Sequence, residues 1–132
     1  MIKVEDTNED LSLKDLLSFF SGNRFSSCKW EVFDLEYSGC DFNGSSAETM
    51  ERKSKDGVTL SCEDFLSFVS TIKQVIEGVF VLRSEDMNPV PDRRAEGALI
   101  KILISDGSFW EVGGENADEF INSSGLIRIE NE

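Results

Sequence analysis

Residues 98–112, ALIKILISDGSFWEV, alternate apolar with other side chains on both sides of an Asp-Gly pair. Alternation at period two marks a strand with one covered face, and Asp-Gly between two such runs is a hairpin signal. A chain with this stretch is committed to an antiparallel sheet and must supply apolar elements to cover it. A two-residue turn at Asp106-Gly107 sets Ser105 opposite Ser108, Ile104 opposite Phe109 and Leu103 opposite Trp110. Ile100, Ile102, Ile104 and Phe109 then share one face, with Glu111 at its far end. Lys101, Leu103, Trp110 and Val112 share the other. The Ile-rich face is expected to meet the helices, so Trp110 is expected to look away from the main core. Trp110 then has two readings. It covers a second small cluster with Trp30 and Val32, or it is a half-exposed anchor for a partner, since Trp is enriched among binding hot spots.

The covering elements are legible as helical stripes. In LSLKDLLSFFSG, residues 11–22, Leu13, Leu16, Leu17 and Phe20 fall on one helical face, and Gly22 is a stop. SCEDFLSFVSTIKQVIEG, residues 61–78, reads as the clearest helix. Ser61 is its N-cap, Glu63 and Asp64 lie in its first turn, and Phe65, Phe68, Val69, Ile72 and Ile76 form its stripe. Gly78 is placed just past its end. ENADEFINSSG is a short acidic helix. CKWEVFDLEYSG, residues 28–39, is a strand with Phe33, Leu35 and Tyr37 on one side and Trp30, Val32, Asp34 and Glu36 on the other. VFVLRS and LIRIEN are further strands, and Ile2–Val4 is an expected edge strand. CDFNGSSAETMERKSKDG is a long connection with one helical turn around Ala47–Lys53, and the Pro-bearing EDMNPVPDRRAEG is a loop. The expected fold is α+β: one domain over residues 1–132, a mostly antiparallel sheet of about five strands with helices on one face.

Chemistry narrows the function. The chain has no histidine, which removes Ser-His-Asp and Cys-His catalysis and the common zinc ligand sets. No phosphate-binding glycine loop is present. Asp41, Asn43 and Ser45 imitate the start of a calcium loop, but Ser46 and Arg52 stand where glycine and glutamate are required. No cofactor, no metal and no enzymatic activity are expected. Cys28, Cys40 and Cys62 are odd in number and widely spaced, as free thiols in a reducing compartment would be. With no apolar leader and no membrane-length apolar run, the expected location is the cytoplasm.

The formal net charge is −13. Such a charge repels nucleic acid and anionic lipid, and it speeds encounter with basic proteins. Solubility alone is the plainer explanation. The acids are nevertheless uneven: from residue 106 onward Asp106, Glu111, Glu115, Asp118, Glu119, Glu130 and Glu132 face Arg128 alone. Carboxylates spaced along an exposed strand can imitate a phosphate row. The candidate partner-binding residues are Asp34 and Glu36 on the first long strand, Asp106, Trp110 and Glu111 on the hairpin, and Glu115, Asp118 and Glu119 beyond it.

Asp106, Gly107, Ser108, Phe109, Trp110, Glu111 and Val112, within the order helix, Pro-bearing loop, hairpin, acidic helix and closing strand, carry a resemblance over roughly residues 61–130. The pattern resembles small bacterial immunity proteins of polymorphic toxin and contact-dependent growth inhibition systems. The resemblance implies a non-enzymatic inhibitor that binds one cognate toxin C-terminal domain. The acidic composition independently suits a basic nuclease as that toxin. A monomer is the expected state. The alternative is a cytosolic adaptor, chaperone or regulatory module.

Overall fold

In the computed structural model the described residues are 2–5, 18–21, 25, 27–84, 97–105, 109–124 and 127–129. The strands are β1 (Ile2–Glu5), β2 (Cys28–Gly39), β3 (Val58–Ser61), β4 (Ile72–Ser84), β5 (Ile100–Ser105), β6 (Phe109–Gly113) and β7 (Ile127–Arg128). The helices are α1 (Ala47–Ser54), α2 (Cys62–Val69) and α3 (Ala117–Ser124), with a 3-10 turn at Ser18–Ser21. The fold is α+β, as the sequence implies. All seven strands join one sheet in the order β3-β2-β4-β5-β6-β1-β7, and every pairing is antiparallel. The expected Ile2–Val4 edge strand is interior, paired to β6 on one side and β7 on the other. The expected helix over residues 11–22 lies outside the described residues except for the turn at Ser18–Ser21, and so do the Asp106-Gly107 turn and Asp106 itself.

Three departures from the sequence reading have local causes. The helix expected over 61–78 stops at Val69. Ser61 caps its start by accepting from the Asp64 N–H at 3.1 Å. Ser70 and Thr71 end it: the Ser70 hydroxyl donates to the Ser67 carbonyl at 2.5 Å, and the Thr71 hydroxyl to that of Phe68 at 2.7 Å. Ile72, Val75 and Ile76 suit an extended chain, where β-branched side chains keep more freedom than in a helix. The second half of the expected helix is therefore the start of β4, and Gly78 sits inside that strand. The four-residue strand β3 falls between the polar connection that ends at Gly57 and the helix expected from Ser61, where the sequence reading placed no element.

The third departure is the register of the β5–β6 hairpin. Ser105 stands opposite Phe109, Ile104 opposite Trp110, Leu103 opposite Glu111 and Ile102 opposite Val112. Residues 106–108 make the connection one residue longer than a two-residue turn. Because side chains alternate, a one-residue change of register moves the whole set to the other face. Trp110 consequently joins Ile100, Ile102, Ile104 and Val112 in the main core and is only 4% exposed. The expected outward Trp110 is thereby corrected.

The main core fills the face that carries the helices. Trp30 stacks on Phe65 of α2 with centroids 4.1 Å apart, and Phe20 meets Trp30 edge-on at 5.4 Å. Phe20 also touches Phe120 of α3, which seats that helix over the same face. Phe33, Val81 and Ala98 form a smaller cluster apart from the main one. Beyond β6 the chain turns back over the start of β5 at Gly114, whose φ is +103°. A Cβ there would stand 2.7 Å from the Leu99 carbonyl oxygen and 2.8 Å from the Ile100 Cα, both backbone. Gly114→Ala is expected to cost more than about 2 kcal/mol, combining unfavourable φ with collision. Urea denaturation measures it, and an unchanged midpoint would contradict this tight crossing.

Candidate functional site

The site is built where β2 loses its outer neighbour. β3 pairs with β2 only at Lys29–Val32. Past that point the freed edge is taken over by side chains of α1. The Leu35 N–H donates to Ser54 Oγ at 3.0 Å, and the Tyr37 N–H donates to Glu51 Oε1 at 3.2 Å. The Ser54 hydroxyl in turn donates to the Glu51 carbonyl at 2.7 Å. A helix thus satisfies backbone donors that a strand would otherwise need to meet. It also shields the edge from another chain.

The position of α1 is set by its lead-in. Asn43 and Gly44, with φ of +47° and +80°, form a tight turn closed by the paired backbone bonds of Phe42 and Ser45 at 2.8 and 2.9 Å. Asn-Gly is the preferred pair for a turn with two positive φ angles. Asp41, Asn43 and Ser45 thus belong to the approach and closure of a turn. Ser46 caps the helix by accepting from the Thr49 N–H at 3.2 Å. Glu48 stands in its first turn, Arg52 and Lys53 in its last, as the helix dipole favours.

The β2–β4 register shifts at three steps, and the first two shape the sheet at the groove. From Phe33↔Val79 to Glu36↔Glu77, β2 advances three residues while β4 advances two. The extra residue falls at Asp34, which adopts φ +51°, a left-handed conformation that Asp tolerates better than most residues. The bulge changes which side chains reach the core. Trp30 and Val32 before it, and Leu35 and Tyr37 after it, all enter the main cluster, whereas Phe33 joins the smaller one. The expectation that Phe33, Leu35 and Tyr37 share a face is corrected by this one inserted residue. The next step, Glu36↔Glu77 to Tyr37↔Val75, spends two residues of β4 on one of β2. The extra residue there is Ile76, which among the described residues is the large hydrophobic side chain left exposed, at 39%.

Between the bulged strands and α1 lies a groove of about 490 Å³. Asp34, Glu36, Glu48, Glu51 and Glu77 bring five carboxylates to it. Arg52 and Lys55 supply the cations, and Leu35 contributes apolar wall. Glu36 and Glu77 are exposed and directly opposite each other in the ladder. Behind the groove, burial first and then the Glu51 and Asp41 carboxylates push the Tyr37 phenol above its ordinary pKa.

Of the sequence candidates, Asp34 and Glu36 line this groove. Glu111 is half-buried on β6, and Glu115, Asp118 and Glu119 are exposed at or on α3, where Asn116 Nδ2 donates to Glu119 Oε2 at 3.1 Å. Three strand spacings, roughly 14 Å, separate β2 from β6. The acids therefore form two patches rather than one. Sequence reasoning missed Glu48, Glu51 and Glu77. Glu77 was hidden by the helical reading of 61–78, although the β-branched density of TIKQVIEGVFV was a signal for a strand.

Among the described residues, no group of three or more Cys, Asp and Glu is arranged to hold a metal ion, and no helix is long and apolar enough to cross a membrane. No family model, curated protein or solved structure shows significant similarity to the chain.

Proposed function

We propose that this chain is a non-enzymatic binding protein of the immunity type, which acts in the cytoplasm by holding a basic toxin domain against its acidic groove. One observation carries the reading: Glu36 faces Glu77 across the ladder, with three further carboxylates around them. Like charges directly opposite each other destabilise a sheet. Folding gains nothing from that pair, whereas a lysine or arginine brought by a partner would relieve the repulsion and be recognised by it. The net charge of −13 adds long-range attraction and fast encounter.

The direct test is rescue. The C-terminal domain encoded by the neighbouring upstream gene is expressed in a susceptible bacterium, and survivors are counted with and without this protein. Specific rescue with a one-to-one complex supports the proposal. A harmless neighbour, or binding to many basic proteins without rescue, favours an adaptor instead.

The groove makes a sharper prediction. Glu36→Gln combined with Glu77→Gln is expected to stabilise the isolated protein by about 0.5 kcal/mol, because cross-strand repulsion is removed. The same change is expected to slow association with the toxin domain, most strongly at low salt. Stopped-flow binding at two ionic strengths reads this, and an unchanged on-rate would remove the groove from the interface.

A further inference from the structure

Just past the end of the β2–β3 ladder lie two thiols that the binding role does not use. The last pair of the ladder is Lys29 opposite Ser61; Cys28 precedes the one, and Cys62, the first residue of α2, follows the other. Both are buried, 6% and 8% exposed, and both belong to the main core. Cys62 Sγ lies 2.9 Å from the Phe25 carbonyl and 3.3 Å from that of Cys28 itself. A Cys62 sulfur this close to the Cys28 backbone puts the two residues within reach of a disulfide, whose Cα atoms stand roughly 4.4–6.8 Å apart. Burial, and then the neighbouring Cys28, push the Cys62 thiol up to about 11, and burial raises Cys28 as well. The resting pair is therefore two protonated thiols.

We propose that Cys28 and Cys62 are a latent disulfide site between β2 and the start of α2, closed by a small neutral peroxide. One thiol gives up its proton, and its sulfur attacks a peroxide oxygen. The O–O bond breaks, the released hydroxide takes up the proton as water, and a sulfenic acid forms. The second sulfur then attacks the first. The S–S bond forms, the S–O bond breaks, and the hydroxyl leaves as a second water with the proton of the second thiol. Two thiols are oxidised and one hydrogen peroxide is reduced to two waters. The bond would close a loop over residues 28–62, which holds β2, α1, β3 and every groove carboxylate except Glu77. Oxidation would staple the binding unit to α2. The inference is independent of the identity of the partner.

The test uses the full chain carrying Cys40→Ser, which removes the exposed third thiol without touching the core. The protein is treated with hydrogen peroxide, quenched, unfolded, alkylated and weighed. The expected product is two hydrogens lighter, takes no alkyl group, and gives a Cys28–Cys62 linked peptide on non-reducing digestion. Its melting temperature is expected to rise by about 10 °C, because the unfolded chain is constrained by a long loop, and to fall back on reduction. Alkylation of both cysteines after treatment, or separate sulfinic acids on each, would overturn the assignment. So would a disulfide between two chains in place of one within a chain.

Discussion

Trp110→Ala is expected to lower the stability of this protein by about 3–5 kcal/mol, the usual cost of removing a buried Trp. The corresponding fall in melting temperature is about 10–20 °C for a chain of this length. Trp110 lies between Val4 of β1 and Ile104 of β5, its two cross-strand neighbours, and both are buried in the same cluster. Alanine would leave a cavity among strands that pair on both sides and have little freedom to collapse. The indole Nε1 is buried without a hydrogen-bond partner. Trp110→Phe should therefore be much milder, because it keeps the ring and discards an unsatisfied donor. Thermal and urea unfolding of the two variants decide the matter. A Trp110→Ala protein with an unchanged melting temperature would restore the two-residue turn and the outward ring.

Arg83→Met is expected to be as damaging, for an electrostatic reason. Arg83 Nε and Glu31 Oε1 form an ion pair in which both side chains are only 6% exposed. Removing the guanidinium breaks this buried pair from one side, which typically costs about 3–5 kcal/mol. The double variant Glu31→Leu with Arg83→Met removes the buried carboxylate too, and is expected to recover most of that loss. Denaturant titration of both singles and the double closes the cycle. Equal losses that simply add would show that the two groups are not coupled.

Much of the scaffold was legible because it rests on local pattern. The bounds of β2 were readable from alternation over residues 28–39, and the first half of α2 from Phe65, Phe68 and Val69 behind a Ser61 cap. The ten Phe announced a large core, and Phe20 and Phe25 lie inside it. Of the site, Asp34 and Glu36 were found as wet positions on a strand. Their partners were not, because Glu48 and Glu51 reach the groove only through the docking of α1 on the free edge of β2. Glu77 reaches it only if 72–84 is a strand.

The sequence by itself determined the α+β class, the two strands of the β5–β6 hairpin, the acidic composition and the absence of histidine chemistry. These depend on composition and on periods of two and 3.6 residues, which survive any change of register. Only the tertiary structure decided which face each side chain occupies. One residue more between β5 and β6 turned Trp110 into the core, and one more at Asp34 sent Phe33 and Leu35 to different clusters. In a sheet, a single inserted residue rotates the remainder of its strand by half a turn. Its position is selected by the packing of the whole sheet, and no local pattern records it.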